Sequence, residues 1–118
     1  MARAAVFVVE DEALIRMMLV EMIEELGHRV VFEAGDLNKA CRVADAESFD
    51  LAILDINLQV DDASPIAKIL LRRGLPFFFL SGYGPAGAPD GFAGVPVLNK
   101  PCTSDALGRA INAALSNK

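Results

Sequence analysis

Histidine and cysteine are scarce: the 118 residues hold one histidine, His28, and two cysteines, Cys41 and Cys102. Two thiols cannot build a disulfide scaffold, so the expected compartment is a reducing one, the cytoplasm. Neither thiol has a histidine near it to make a nucleophile; Cys41 reads as core and Cys102 as a residue that opens a helix. His28 stands in a polar turn and reads as a surface residue. Positive charge is short as well. Eleven Lys and Arg face 16 Asp and Glu, a net charge of −5, which excludes the basic face of a nucleic-acid binder. Long apolar runs are missing too: the longest, such as Leu75 to Leu80, hold about six residues against the ~18–20 that span a bilayer, so no membrane association is expected. The first residues lack the charged, apolar and small-residue zones of a secretory signal. At a typical ~150 residues per domain, residues 1–118 are expected to form a single domain.

What is abundant is apolar surface. Hydrophobic residues make up 53% of the chain, enough for a proper core. They are organised as short runs alternating with amphipathic stretches. Ala4 to Val9 is an unbroken, valine-rich run, as expected of a strand buried on both faces. From Glu12 to Leu26 the apolar residues Leu14, Ile15, Met18, Leu19, Met22, Ile23 and Leu26 keep helical spacing, closed by Gly27. Arg29 to Glu33 predicts a second strand, and Asp36 the N-cap of a helix facing inward through Leu37, Ala40, Cys41 and Ala44. Leu51 to Leu54 predicts a third strand, Pro65 to Arg73 a helix stopped by Gly74, and Phe77 to Leu80 a fourth, central strand. Val95 to Leu98 predicts a fifth, and Thr103 caps a last helix running to about Leu115. Strands alternating with helices, the strands nearly all apolar, predict an α/β fold: a doubly wound parallel sheet covered on both faces. Residues 82–94 hold five glycines and two prolines, so a fourth helix there is expected to be short, distorted or absent.

In open parallel sheets, ligands bind beyond the carboxyl ends of the strands. The polar residues at those ends are Glu10 and Asp11 after the first strand, Asp55 after the third, Ser81 after the fourth and Lys100 after the fifth. Read singly, each is ordinary: helix-capping acids, a turn aspartate, turn chemistry before Gly82, a solvated lysine. Read together they form a cluster. Two like charges ~4 Å apart repel by roughly 4 kcal/mol at an effective dielectric near 20. Three clustered carboxylates therefore call for a cation, and oxygen ligands without histidine or thiol suit Mg²⁺, with Mn²⁺ as a substitute. Lys100 adds a compact positive charge, and Ser81 and the Gly82 N–H add donors; such a set is competent for phosphoryl transfer onto oxygen.

With these residues in place, the chain resembles the response-regulator receiver domain of two-component signalling (CheY-like) over essentially its whole length. The resemblance is carried by Val6-Phe7-Val8-Val9-Glu10-Asp11-Glu12, by Phe49 to Leu58 around Asp55, by Phe79-Leu80-Ser81-Gly82 and by Leu98-Asn99-Lys100-Pro101. It implies a flavodoxin-like (βα)5 fold with strand order 2-1-3-4-5. It implies Asp55 as phosphoacceptor, Asp11 as the Mg²⁺-binding acid with Glu10 helping through water, and the backbone carbonyl of Asn57 as a further ligand. It makes Ser81 the switch hydroxyl and Lys100 the lysine that pairs with the phosphoryl group, before a cis Lys100–Pro101 peptide. The implied role is a stand-alone regulator without an output domain and not an enzyme in the usual sense. It would be phosphorylated by a histidine kinase or histidine phosphotransfer protein and act through protein contact, with helix one facing the kinase and the region from residue 82 to the last helix facing the target. His28 is not read as a phosphorelay histidine.

The chain departs from the family pattern in three places. Val97 stands where most receivers carry an aromatic, three residues before the lysine. Tyr83, two residues after Ser81, instead resembles the loop aromatic of a stand-alone subgroup with a Phe-Ala-Thr-Gly-type motif, which implies Tyr83 as the moving aromatic. The loop from Gln59 to Ser64 lacks the usual Pro-x-x-x-Gly, and Asp61 and Asp62 read as solvated acids before the third helix. The rival reading is a Mg²⁺-dependent aspartyl-nucleophile phosphatase, which usually needs a second acid two residues after the nucleophile; Asn57 stands there. A flavodoxin would need a phosphate loop where this chain has Glu10-Asp11-Glu12.

Overall fold

The structure is a computed structural model and describes residues 3–58, 61–82, 88–89, 91–92 and 94–116. In chain order the elements are β1 (Ala5–Val9), α1 (Ala13–Glu25), β2 (Arg29–Ala34), α2 (Leu37–Ala46), β3 (Leu51–Asp55), β4 (Asn57–Leu58), β5 (Asp61–Asp62), α3 (Ser64–Arg73), β6 (Phe77–Ser81), β7 (Val97–Asn99) and α4 (Ser104–Ser116). Five strands pair in the order β2-β1-β3-β6-β7, every pair parallel. Counted along the chain, those five strands stand 2-1-3-4-5, the doubly wound order that the sequence implied. The short pair β4–β5 is antiparallel and separate.

Alternate strand residues feed opposite faces of the sheet, because strand side chains have period two. Phe7, Val9, Ala52, Leu54 and Phe79 pack with Ala40, Val43 and Ala44 of α2 and Ile66, Ala67 and Leu70 of α3. Val6, Val8, Leu51, Ile53, Phe78 and Leu80 pack with Leu19 and Ile23 of α1 and Leu107 and Ile111 of α4. Each fully buried Val, Leu, Ile or Phe contributes roughly 1.5–3 kcal/mol. The helix faces follow from the 3.6-residue spacing, and their ends from local chemistry. Asp36 Oδ1 accepts from Lys39 N at 2.8 Å, Gly74 closes α3 with φ of 71°, and Thr103 Oγ1 accepts from Ala106 N at 3.1 Å. Arg73 ties α3 to the last turn of α2, its Nη1 donating to the carbonyls of Ala44 and Glu47 at 2.6 and 2.8 Å.

Register is what positions the site. Val9 lies opposite Leu54, so Glu10 and Asp55 follow on neighbouring strands; Asp55 lies opposite Leu80, just before Ser81. Ser81 lies opposite Asn99, and Lys100 comes next.

Three expectations are corrected or sharpened. His28 is buried, and its Nδ1 accepts from Ala4 N at 3.1 Å. The first N–H groups of a strand need acceptors wherever its end is covered, and the positive φ of Gly27 turns the chain so that His28 supplies one. Strand β7 starts at Val97 rather than Val95, because Pro96 has no N–H for the ladder, although its carbonyl still accepts from Phe79 N at 3.0 Å. Asp62 is exposed and accepts from Ser64 N at 2.9 Å, as an acid before a helix should, but with Asp61 it also forms β5.

Between β6 and β7 no helix stands among the described residues. Pro89 and Phe92 are buried, and the Phe92 ring meets Phe79 edge-on with centroids 6.1 Å apart. Phe92 thus belongs to the α2–α3 side of the core.

Candidate functional site

Glu10 follows β1 and is wholly buried, as is Ser81 at the end of β6, and Asp55 is 3% exposed. Burying an ionised carboxylate is costly unless it is paired. Lys100, arriving from the end of β7, supplies the pairing: its Nζ lies 2.8 Å from Glu10 Oε1 and 3.4 Å from Asp55 Oδ1. The other Glu10 oxygen, Oε2, accepts from Glu12 N at 3.0 Å. Burial pulls the Lys100 ammonium towards its neutral form, but the hydrogen bond to Glu10 and the charges of Asp55 and Glu10 outweigh it and raise its pKa. Its backbone is held too, Lys100 N donating to the Ser81 carbonyl at 2.9 Å, and the Lys100–Pro101 peptide is cis.

Glu10, Asp11 and Asp55 bring carboxylate oxygens within 4.8 Å of one another. One ammonium stands against three carboxylates, so negative charge remains in excess. The set fits Mg²⁺ in donor type, all hard oxygen. Glu10 has both oxygens engaged, by Lys100 Nζ at 2.8 Å and by Glu12 N at 3.0 Å, while Asp55 meets Lys100 at the longer distance of 3.4 Å.

The structure therefore brings together Glu10, Asp11, Asp55 and Lys100, with Ser81 at the adjoining strand end. Asn57 lies in β4, two residues beyond Asp55, its backbone paired with Asp62. Tyr83 lies outside the described residues. Val97 is half-buried and packs with the α2–α3 side of the core, where Phe79 and Phe92 supply the rings.

Sequence reasoning missed two features. Arg16, the single basic residue of α1, donates from Nη1 to the Glu10 carbonyl at 2.6 Å; its isolation among apolar and acidic neighbours was the available signal. An apolar hollow of about 250 Å³ also opens beside Lys100, walled by Ile15, Met18 and Met22 of α1 and by Pro101 and Cys102. On the same helix Leu14, Met17 and Met18 are exposed, at 64%, 54% and 54%.

The geometry is that of a receiver, and comparison with known proteins agrees. The response regulator receiver domain family matches residues 6–112, and the chain belongs to that family, which acts in two-component signalling. The transcriptional regulatory protein PdtaR of Mycobacterium tuberculosis is 40% identical over 82 residues, covering 66% of this chain. The chain covers only 38% of that relative's length. Among solved structures, SdrG from Sphingomonas melonis Fr1 superposes with a TM-score of 0.80 at 36% identity, covering 98% of this chain and 99% of that one. The receiver domain of the PhyR response regulator from Erythrobacter litoralis superposes with a TM-score of 0.82 at 26% identity, covering 98% and 92%. Among the described residues no helix is long and apolar enough to cross a membrane.

Proposed function

We propose that the chain is a phosphoacceptor: a phosphoryl group passes from a phosphohistidine of a kinase or phosphotransfer protein to Asp55. The observation that carries this reading is Lys100 Nζ lying between Glu10 and Asp55 with Asp11 alongside, an ammonium and three acids delivered by the ends of β1, β3 and β7. A carboxylate oxygen of Asp55 attacks phosphorus, the P–N bond to the imidazole breaks, and the ring nitrogen leaves with the electron pair and takes up a proton. Lys100 turns from Glu10 towards the new phosphoryl oxygens, and the Ser81 hydroxyl donates to one of them. Asp11, Asp55 and the Asn57 carbonyl would hold Mg²⁺, with Glu10 acting through water. When bound, the ion would neutralise the acids and the charge gathering on phosphorus.

The chain then acts as a signalling protein rather than a turnover enzyme, through protein contact. Exposed Leu14, Met17 and Met18, on the helix that walls the apolar hollow, support α1 as the donor-facing surface. The stretch from residue 82 to α4, with Tyr83 as its moving aromatic, is the target-facing one. Incubation with Mg²⁺ and acetyl phosphate, read by intact mass, tests the reading. One added phosphoryl group is expected, lost with a chelator and with Asp55→Asn; labelling that survives Asp55→Asn would refute it.

A further inference from the structure

The Glu10–Asp11 turn is fixed from outside the cluster. The Glu10 N–H donates to the Ala34 carbonyl at 3.0 Å, and its own carbonyl accepts from Arg16 Nη1 at 2.6 Å. The same guanidinium pairs through Nε with Glu33 Oε1 of β2 at 3.3 Å. Gly35 gives it room: a Cβ there would lie 2.8 Å from Arg16 Nη1, closer than Cβ atoms pack, and 3.7 Å from the Glu10 carbonyl oxygen. The planar fork of arginine thus joins α1, the end of β2 and the peptide group linking Glu10 to Asp11. That peptide is rigid, so holding its carbonyl sets the direction in which Asp11 leaves the strand.

We infer that Arg16 is a positioning residue for the metal-binding acid Asp11, acting through the Glu10 carbonyl. This rests on reading the acid cluster as a Mg²⁺ site. The plainer account, a surface ion pair with half-exposed Glu33, contributes little to stability and nothing to metal binding. An electrostatic account has the opposite sign: a nearby cation repels Mg²⁺, so removing Arg16 would tighten binding. Outer partners that orient metal ligands typically change affinity by about 10–100-fold, so positioning predicts clear weakening.

The test is calorimetric titration of Mg²⁺ into the wild type and the variants Arg16→Gln, Arg16→Lys, Glu33→Gln and Gly35→Ala. Arg16→Gln is expected to raise the Mg²⁺ Kd about tenfold, and Arg16→Lys, which keeps the charge but not the fork, to recover only part. Gly35→Ala keeps every charge and displaces the guanidinium, so it should weaken binding in the same direction; it also carries the test if Arg16→Gln folds poorly. Glu33→Gln leaves the Glu10 bond and should change Kd least. In the metal-free protein, Arg16→Gln should speed exchange of the Glu10 amide, which is bonded to the Ala34 carbonyl, and leave β3 amides alone. Wild-type binding with Kd unchanged or tighter in both Arg16→Gln and Gly35→Ala would overturn the inference alone. A wild type that binds no Mg²⁺ would overturn the metal-site reading with it.

Discussion

Two aspartates bracket β3, and they live under opposite conditions. Asp50, at the amino end, accepts from Ala5 N through Oδ2 at 2.8 Å, while its own N–H donates to the Ala5 carbonyl at 2.7 Å. His28 does the same service one residue earlier, for Ala4. At that end polar side chains meet backbone donors one to one. Asp55, at the carboxyl end, shares a single ammonium with a second acid and lies within 4.8 Å of both Glu10 and Asp11. The two ends of β3 therefore hold an acid matched by backbone donors and an acid crowded by others, and the difference lies in whether the surrounding charge is matched. Unmatched charge weakens the fold and is what a cation and a phosphoryl group can exploit.

The comparison can be broken most forcefully with metal. A ligand at ~100 times its Kd adds roughly 2.7 kcal/mol to stability, so saturating Mg²⁺ should raise the Tm of the wild type clearly. Asp11→Asn should abolish the rise, whereas Asp50→Ala should lower the starting Tm and keep the full increment, because distant sites add. Loss of the Mg²⁺ increment in Asp50→Ala would erase the distinction between the two ends.

Next in size are the amino-end substitutions themselves. Asp50→Ala or His28→Leu leaves the Ala5 or the Ala4 N–H without its acceptor and should cost about 1–3 kcal/mol in urea unfolding, with phosphoryl uptake by the folded protein unchanged. Asp55→Asn should do the reverse, removing uptake while leaving stability level or raised by about 1 kcal/mol, since one of three crowded acids becomes neutral. Denaturant midpoints for the three variants decide whether the ends differ as described.

The smallest effect is a pH dependence. The Lys100 pKa is raised in the fold above its ordinary 10.5, so the associated stability is fully present below that value and fades as pH climbs through the folded pKa. The wild type should therefore lose stability in that alkaline range faster than Lys100→Met, and Tm against pH for the pair would show it. Parallel curves would mean that Lys100 is not held by Glu10 and Asp55.

Much of this was legible in the chain. Strand-ending acids, the alternation of runs and the order of the strands are local signals, and they located Glu10, Asp11, Asp55, Ser81 and Lys100. Which acid takes the lysine was not legible, because Glu10 and Lys100 are 90 residues apart and meet only through the combined register of four strands. The burial of His28 and the reach of Arg16 were hidden for the same reason: periodicity reports the face of an element, not the partner across it. The glycine-rich stretch, where a fourth helix was expected to be short, distorted or absent, gave no sign of Phe92, whose single buried ring has no period to betray it.

Mapping the phosphoryl group along β3 tests the central claim most directly. After treatment with acetyl phosphate and Mg²⁺, fragmentation of the peptide spanning Asp50 to Asp55 should place all of the label on Asp55 and none on Asp50. Label on Asp50, or an unlabelled peptide from folded, Mg²⁺-bound protein, would contradict the account.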